Sequence, residues 1–451
     1  MSTGVTKNER VRPDTLTATI LHREPHPLPQ NTTEAILVYP GKLEKSIILK
    51  PASIPYCSVD PVGKIEKNEV ITPNAMMLSD NFFALHTMLE QNIKATLVYL
   101  DPPFATGRDF HSRQLDHAYT DKLGSAAYLE FMRRRLILLR EILTEDGSIY
   151  LHIGHQMVGH IKVLMDEIFG KRNCKNIITR RKCSSKNSTK KQFANIHDFI
   201  LFYTRSAHYK WNPPGEIPDA EWIAREYPKV NDRGQYKLGP IHAPGTRNGE
   251  TGEPWRGKMP PKGKHWQLKP SKLEELDKQG EIHWSCNGNP RRKIYLTAEK
   301  RLAFTDYWGK FRDAHHQSIK ITGYPTEKNL DMLKIIVGAS TDKGDLVVDP
   351  FCGSGTTLDA ANQCGRPWVG IDESFVAAKA TINRLCKGAQ AMGDYVQNQN
   401  NKKKEPDNLT LEGLNGMHTE QIAPKPMGFN FYIDTELIET YKKNIEELFS
   451  L

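Results

Sequence analysis

Two short segments of this chain combine residue types that can hold a small molecule and act on it. The first is Asp101-Pro102-Pro103-Phe104, which stops the apolar run Thr96-Leu97-Val98-Tyr99-Leu100. A short apolar run bounded by turn residues reads as a strand buried on both faces, and the prolines forbid its continuation. Asp101 then stands at the strand's carboxyl end, where open α/β sheets bind ligands. The prolines carry no N–H donors, so carbonyl oxygens are left as acceptors beside a carboxylate, and Phe104 adds a flat face. That set suits an amino group on a planar ring, such as a base turned out of a duplex. Taken alone, the motif also fits a plain proline turn with a capping Asp.

The second segment is Asp349-Pro350-Phe351-Cys352-Gly353-Ser354-Gly355-Thr356-Thr357, placed between an apolar strand and a helix. Its glycines let the backbone approach a ligand closely, and the helix start offers free N–H groups. Asp372 ends the next strand, 23 residues after Asp349, where Rossmann-like sheets carry a carboxylate for ribose hydroxyls. No Gly-Lys-Ser or Gly-Lys-Thr is present, so the loop is not a phosphate-binding P-loop. Cys352 sits inside the loop and is not read as a nucleophile.

The elements that must position these segments alternate. Helical spacing predicts helices over 82–91, 126–143, 156–169 and 329–340, the second ending at Gly147. Strands are predicted at 96–100, 148–153, 199–203, 346–348 and 368–372. Strands alternating with helices predict parallel βαβ units. Residues 205–320 differ in texture, with frequent Pro, Gly, Trp and Lys, and read as an inserted recognition region. Five stretches result. Residues 1–75 form an N-terminal arm or small β-element, and 76–204 the half that carries Asp101. The insertion spans 205–320, the glycine-loop half 321–392, and a linker with a C-terminal extension 393–451.

Together, and in this order, the two segments resemble the amino-group DNA methyltransferases of the β class, in which the catalytic box precedes the cofactor loop. Tyr99 to Phe110 resembles the catalytic segment of type III modification subunits and of related solitary adenine methyltransferases. Ser79-Asp80-Asn81, His197 to Tyr203 and Tyr324 to Asn329 resemble further blocks of that family, and the likeness spans roughly residues 76–390. Departures are Phe104 where Tyr is commoner, Ser79 for a usual Gly, and Glu327 for a usual Gln. The resemblance implies a circularly permuted, Rossmann-like α/β fold that uses S-adenosylmethionine. Asp101 and the Pro102 carbonyl would accept the amine's N–H bonds, Pro103 would fix the turn, and Phe104 would stack on the base. Asp80, Asp349, Phe351, Gly353, Gly355, Thr356, Thr357, Asp372 and Lys328 would contact the cofactor. Asp rather than Ser in the box implies N6 of adenine over N4 of cytosine. A non-enzymatic specificity subunit with a relic pocket stays open. The family also implies duplex DNA as partner, and raises a homodimer or a restriction subunit on another chain.

The charge balance agrees with a polyanionic partner, since 62 Lys and Arg against 53 Asp and Glu give a net charge of +9. Candidate phosphate contacts are the basic stretch Arg180, Arg181, Lys182 and Lys186, and the pair Arg291 and Arg292. His315-His316 has no ligand-spaced partner, so no metal is expected. Seven cysteines without a CxxC pair argue against a disulfide scaffold or structural zinc and suit a reducing cytoplasm. No apolar run reaches membrane-spanning length, and the polar N-terminus does not resemble a secretion signal.

Overall fold

The computed structural model describes residues 35–68, 70–104, 108–111, 117–121, 124–183, 191–313, 320–321, 327–388, 390–391 and 428–441, with isolated positions at 444, 445 and 448. The chain divides into two compact units. One comprises 1–212, 306–397 and 423–451, and the other 213–305 with 398–422.

The first unit is built on an eleven-stranded sheet. Its middle is a run of six parallel strands, in the order Leu143–Ile153, Ala95–Leu100, Val347–Asp349, Trp368–Asp372, Ala75–Leu78 and Asn430–Asp434. All six residues of Ala95–Leu100 are buried, as are the four of Ala75–Leu78, which is why these strands read as unbroken apolar runs. Helices Asn81–Glu90, Ser125–Ile142, Val158–Phe169, Leu330–Ser340, Thr356–Gln363 and Phe375–Lys387 accompany them. Side chains cap three of these helices at their starts. Asp80 accepts from the Phe82 N–H at 2.7 Å, Asn329 from Met332 at 3.0 Å and Ser374 from Ala377 at 3.4 Å. Leu85, Met132, Leu136, Leu139, Ile161 and Leu164 are fully buried in the main core.

Chain direction across the sheet fixes where a ligand can bind. The strands after Ala95–Leu100 lie to one side of it, and Val347–Asp349 starts the other side. That reversal is a topological switch point, and Asp101 and Asp349 stand at the carboxyl ends of the two strands that flank it. The α/β fold is Rossmann-like, and the segment ending in Asp101 precedes the glycine loop in the chain, the permuted order expected from the sequence.

The borders of the sheet depart from the expected parallel units. His197–Thr204 pairs antiparallel with Leu143–Ile153, and Cys174–Arg181, a strand the periodicity does not reveal, pairs antiparallel with His197–Thr204. Helix Ser125–Ile142 stops before Gly147, because Leu143 already turns to extended backbone and pairs with Ala95. Both outlying stretches of the chain also enter this sheet. Tyr56–Val59 and Ile65–Asn68 form a hairpin, and Asn430–Asp434, expected in an extension, lies between Tyr56–Val59 and Ala75–Leu78.

The 213–305 part of the second unit lies inside the expected insertion, and its 398–422 part lies outside it. A four-stranded antiparallel sheet orders Lys229–Asn231, Gly234–Gly239, Pro290–Tyr295 and Ile282–Trp284. Helix Pro270–Lys278 contributes Leu273 and Leu276 to a small core with Ile241, Trp255, Trp266 and Ile282. The region is therefore an organised unit with its own core, not an irregular loop. Arg256 lies over the Trp255 and Trp284 rings and pairs with Glu274 and Asp277, which ties the helix to the tryptophan cluster.

Candidate active site

A cleft of about 880 Å³, partly open to solvent, opens at the carboxyl ends of the parallel strands. Asp101 and Pro103 line it, together with Asp349 to Ser354, Thr356, Thr357 and Asp372. The fold thus brings both sequence segments to one cavity. Pro102 is buried beneath the turn, and Phe104 is half-buried with its ring centroid 5.9 Å from that of His152.

The glycine loop is held tightly. Gly355 has φ +73°, and a Cβ there would come within 2.9 Å of Thr381. Thr381 Oγ1 also donates to the Gly353 carbonyl at 2.9 Å. Arg384 sits beneath the loop, nearly fully buried. Its Nε donates to the Ser354 carbonyl at 2.7 Å, and its guanidinium pairs with buried Glu327 and lies 3.6 Å from Asp359. Glu327, a departure from the expected Gln, therefore has an ionic partner.

Asp372 is partly engaged by the loop it faces. Its Oδ2 accepts from the Gly353 N–H at 2.9 Å and its Oδ1 from the Ser374 N–H at 3.0 Å. Burial pushes its carboxyl up to about 6, against the lowering effect of those two bonds. Burial likewise pushes Asp349 up to about 7, against hydrogen bonds from Thr357 and the Phe351 N–H. Two carboxyls raised in one cleft suit a ligand that brings hydroxyl donors and positive charge.

The structure adds residues that sequence reasoning missed. Asn81 lines the cleft and donates to the Pro350 carbonyl at 2.6 Å. Arg135 lies 3.6 Å over the Phe131 ring, bonds to Asn81 and pairs with Asp80 at 2.8 Å. Asp80 is thus placed as helix cap and Arg135 partner, with its neighbour Asn81 on the cleft wall. Glu373 also lines the cleft, and a second acid beside Asp372 was the signal available for it.

Lys328 Nζ pairs with Asp101 Oδ2, so it stands against the Asp101-Pro102-Pro103-Phe104 segment and also lines the cleft. Asp101 Oδ1 is buried and has no hydrogen-bond partner among the described residues. One oxygen is charge-anchored, and the other is left to accept.

The basic candidates separate. Arg180 was expected to face phosphate, but it is fully buried. It pairs with Asp198 at 2.9 Å and Asp313 at 2.6 Å and donates to the Phe311 carbonyl at 2.7 Å, so it cannot reach a polyanion. Arg181 and Lys182 are half-buried beside it, and Lys186 lies outside the described residues, as do His315 and His316. Arg291 and Arg292 are exposed on the Pro290–Tyr295 strand of the second unit. Among the described residues no group of His, Cys, Asp or Glu is placed to hold a metal ion. No helix there is long and apolar enough to cross a membrane.

A cleft at a switch point, lined by a glycine loop and three strand-end carboxylates, is where α/β enzymes bind nucleotide-like cofactors. Residues 95–383 match the DNA methylase family, and the chain belongs to it, as an S-adenosylmethionine-dependent DNA methyltransferase. The type II methyltransferase M.EcaI of Enterobacter cloacae is 53% identical over 98% of this chain and 96% of its own length. The StyLTI Mod subunit of a type III restriction-modification enzyme, from Salmonella typhimurium, is 26% identical over 64% of this chain and 49% of its own. A solved complex of M1.HpyAVI with its cofactor is 15% identical, covers 69% of this chain and 98% of that one, and gives a TM-score of 0.36.

The cleft fits this cofactor. Glycine backbone, carboxylates and aromatic faces are the donor set that a ribose, a purine and an amino-acid end require. When bound, the cofactor supplies an electrophilic methyl group on a sulfonium. The residues of this chain bind, orient and shield.

Proposed function

We propose that this chain methylates N6 of adenine in duplex DNA at one short recognition sequence, acting on a base turned out of the helix. The observation that carries this reading is Asp101, which lines the cleft with Oδ2 tied to Lys328 and with Oδ1 buried and without a hydrogen-bond partner among the described residues. An exocyclic amine is a poor nucleophile because its lone pair is delocalised into the ring. Accepting its two N–H bonds, at Asp101 Oδ1 and the Pro102 carbonyl, favours a pyramidal nitrogen whose lone pair faces the methyl donor. Catalysis is then mostly positioning and preorganised charge, with no covalent enzyme intermediate. Phe104 supplies the stacking face, worth about 1–3 kcal/mol per base. Gly353, Gly355, Thr356 and Thr357 accommodate the cofactor's methionine end, and Asp372 takes ribose hydroxyls. Exposed Arg291 and Arg292 contact DNA phosphates. The chain works in the cytoplasm, and a restriction subunit on another chain is its partner, in line with the Mod-subunit relative.

Modification-sensitive sequencing of genomic DNA tests this reading, from a methylation-free host expressing the chain, with Asp101→Ala as control. N6-methyladenine at one recurring motif, absent from the control, is the expected result. N4-methylcytosine would overturn the choice of base, and unmodified DNA would overturn the reaction.

The role of Asp372 predicts a pH dependence. Its carboxyl sits at about 6 in the free protein, and hydroxyl donors favour the ionised form. Cofactor binding therefore lowers that value and releases protons near pH 6. Affinity is full above about pH 7 and weakens as pH falls through about 6. Calorimetry in buffers of differing ionisation enthalpy measures the proton count. Proton uptake on binding would contradict the assignment.

A further inference from the structure

Behind Asp101 runs a buried polar chain that the methyl-transfer geometry does not use. His152, on Leu143–Ile153, is fully buried. Its Nδ1 lies 2.9 Å from the Tyr99 hydroxyl and 3.8 Å from Asp101 Oδ1. Its Nε2 lies 3.1 Å from Asp198 Oδ2. The same Asp198 oxygen receives Arg180 at 2.9 Å, and Arg180 reaches on to Asp313 at 2.6 Å. The ionisable groups facing His152 are thus Asp101 and Tyr99 on one side and Asp198 on the other. Arg180 lies behind Asp198, and Lys328 on the far side of Asp101.

Methylating an amine leaves a proton over. An N–C bond forms, the C–S electron pair stays with sulfur, and one N–H proton must go elsewhere. Asp101, on the cleft wall, is placed to receive it first, and its Oδ1 lies 3.8 Å from His152 Nδ1. We infer that His152 takes this proton from Asp101, with Asp198 and Arg180 holding the ring for that purpose. The inference rests on the methyltransferase reading above.

The chain suits the step in both protonation states. In the neutral ring, Nε2–H faces Asp198 and Nδ1 accepts from Tyr99. A shift of under about 1 Å brings Asp101 Oδ1 to hydrogen-bond range of Nδ1. When Nδ1 gains the proton, the Tyr99 hydroxyl turns to accept from it, since a hydroxyl serves as donor or acceptor. Asp198 then faces an imidazolium. Burial alone would raise the Asp198 carboxyl, but the His152 ring, Arg180 and Lys328 outweigh it and hold it well below the usual carboxylate range. Among the described residues, buried Asp198 and half-exposed Asp313 both pair with Arg180, so an imidazolium formed at His152 faces a carboxylate at Asp198. The proton returns through Asp101 to solvent when product leaves.

The test is single-turnover methyl transfer to duplex DNA bearing the recognition motif, for wild type, His152→Gln and Asp198→Asn. Binding of S-adenosylmethionine and of the duplex is measured alongside. Losing a general base is expected to slow the transfer step by about 10²-fold in His152→Gln, while both affinities stay within about 2-fold. Asp198→Asn keeps the shape and removes the charge, and is expected to slow the step by about 10-fold. Transfer within about 3-fold of wild type in both variants overturns the inference, as does a loss of cofactor affinity that parallels the loss of rate. Should His152→Gln fail to fold, Asp198→Asn decides alone. Wild-type protein that leaves the duplex unmethylated is a separate result, and it overturns the parent reading and this inference together.

Discussion

Asp101→Ala is expected to lower single-turnover methyl transfer by at least about 10³-fold while S-adenosylmethionine still binds. Lys328 anchors one carboxylate oxygen, and the other has no hydrogen-bond partner among the described residues. Alanine removes the acceptor and leaves the amine planar, with its lone pair in the ring. Preorganised contacts to a reacting group are typically worth about 10²–10³ each, and this variant also loses the first stop for the departing proton. Rapid-quench kinetics with calorimetric cofactor binding separates chemistry from folding. Transfer within about 3-fold of wild type would remove Asp101 from the mechanism.

Arg384→Ala has the largest expected effect on stability. The guanidinium is buried against Glu327, with Asp359 nearby, and it bonds the Ser354 carbonyl in the cofactor loop. Removing one partner of a buried pair strands the other, at about 3–5 kcal/mol. Denaturant unfolding should show that loss, and cofactor affinity should fall as the loop loses its underside support. Glu327→Gln keeps a neutral acceptor and should cost much less. Equal losses in the two variants would mean that the ionised Glu327, and not a neutral acceptor in its place, is what the buried arginine requires.

Much of this site is legible in the sequence, and the reason is physical. Strands Ala95–Leu100, Val347–Asp349 and Trp368–Asp372 are buried by helices on both faces, so they appear as apolar runs that stop at an acid. The acids fall on one rim because parallel strands share a direction, which is why Asp101, Asp349 and Asp372 meet. The sheet's borders are harder to read. Cys174–Arg181 mixes half-buried, exposed and buried positions without regular alternation and carries charge, so it looks like a surface stretch. Arg180 in particular reads as a solvated cation. Its burial depends on Asp198 and Asp313, partners that only the fold brings near. His152 is hidden for the same reason, as a lone histidine in an apolar strand whose contacts come from two other strands. Asn430–Asp434 is too short to declare itself, and its neighbours in the sheet lie more than 350 positions earlier in the chain.

That last strand has a consequence for biosynthesis. Ala75–Leu78 pairs on one side with Trp368–Asp372 and on the other with Asn430–Asp434, which also bridges to Tyr56–Val59. On the ribosome, residues 56–78 emerge long before either partner exists, so two bare edges await strands still to be translated. Unpaired edges are templates for wrong pairing, and long loops close slowly. The nascent chain should therefore depend on chaperones that shield these edges until residue 434 has cleared the exit tunnel. The cleft itself waits for less of the chain, since its last lining residue is Ser374.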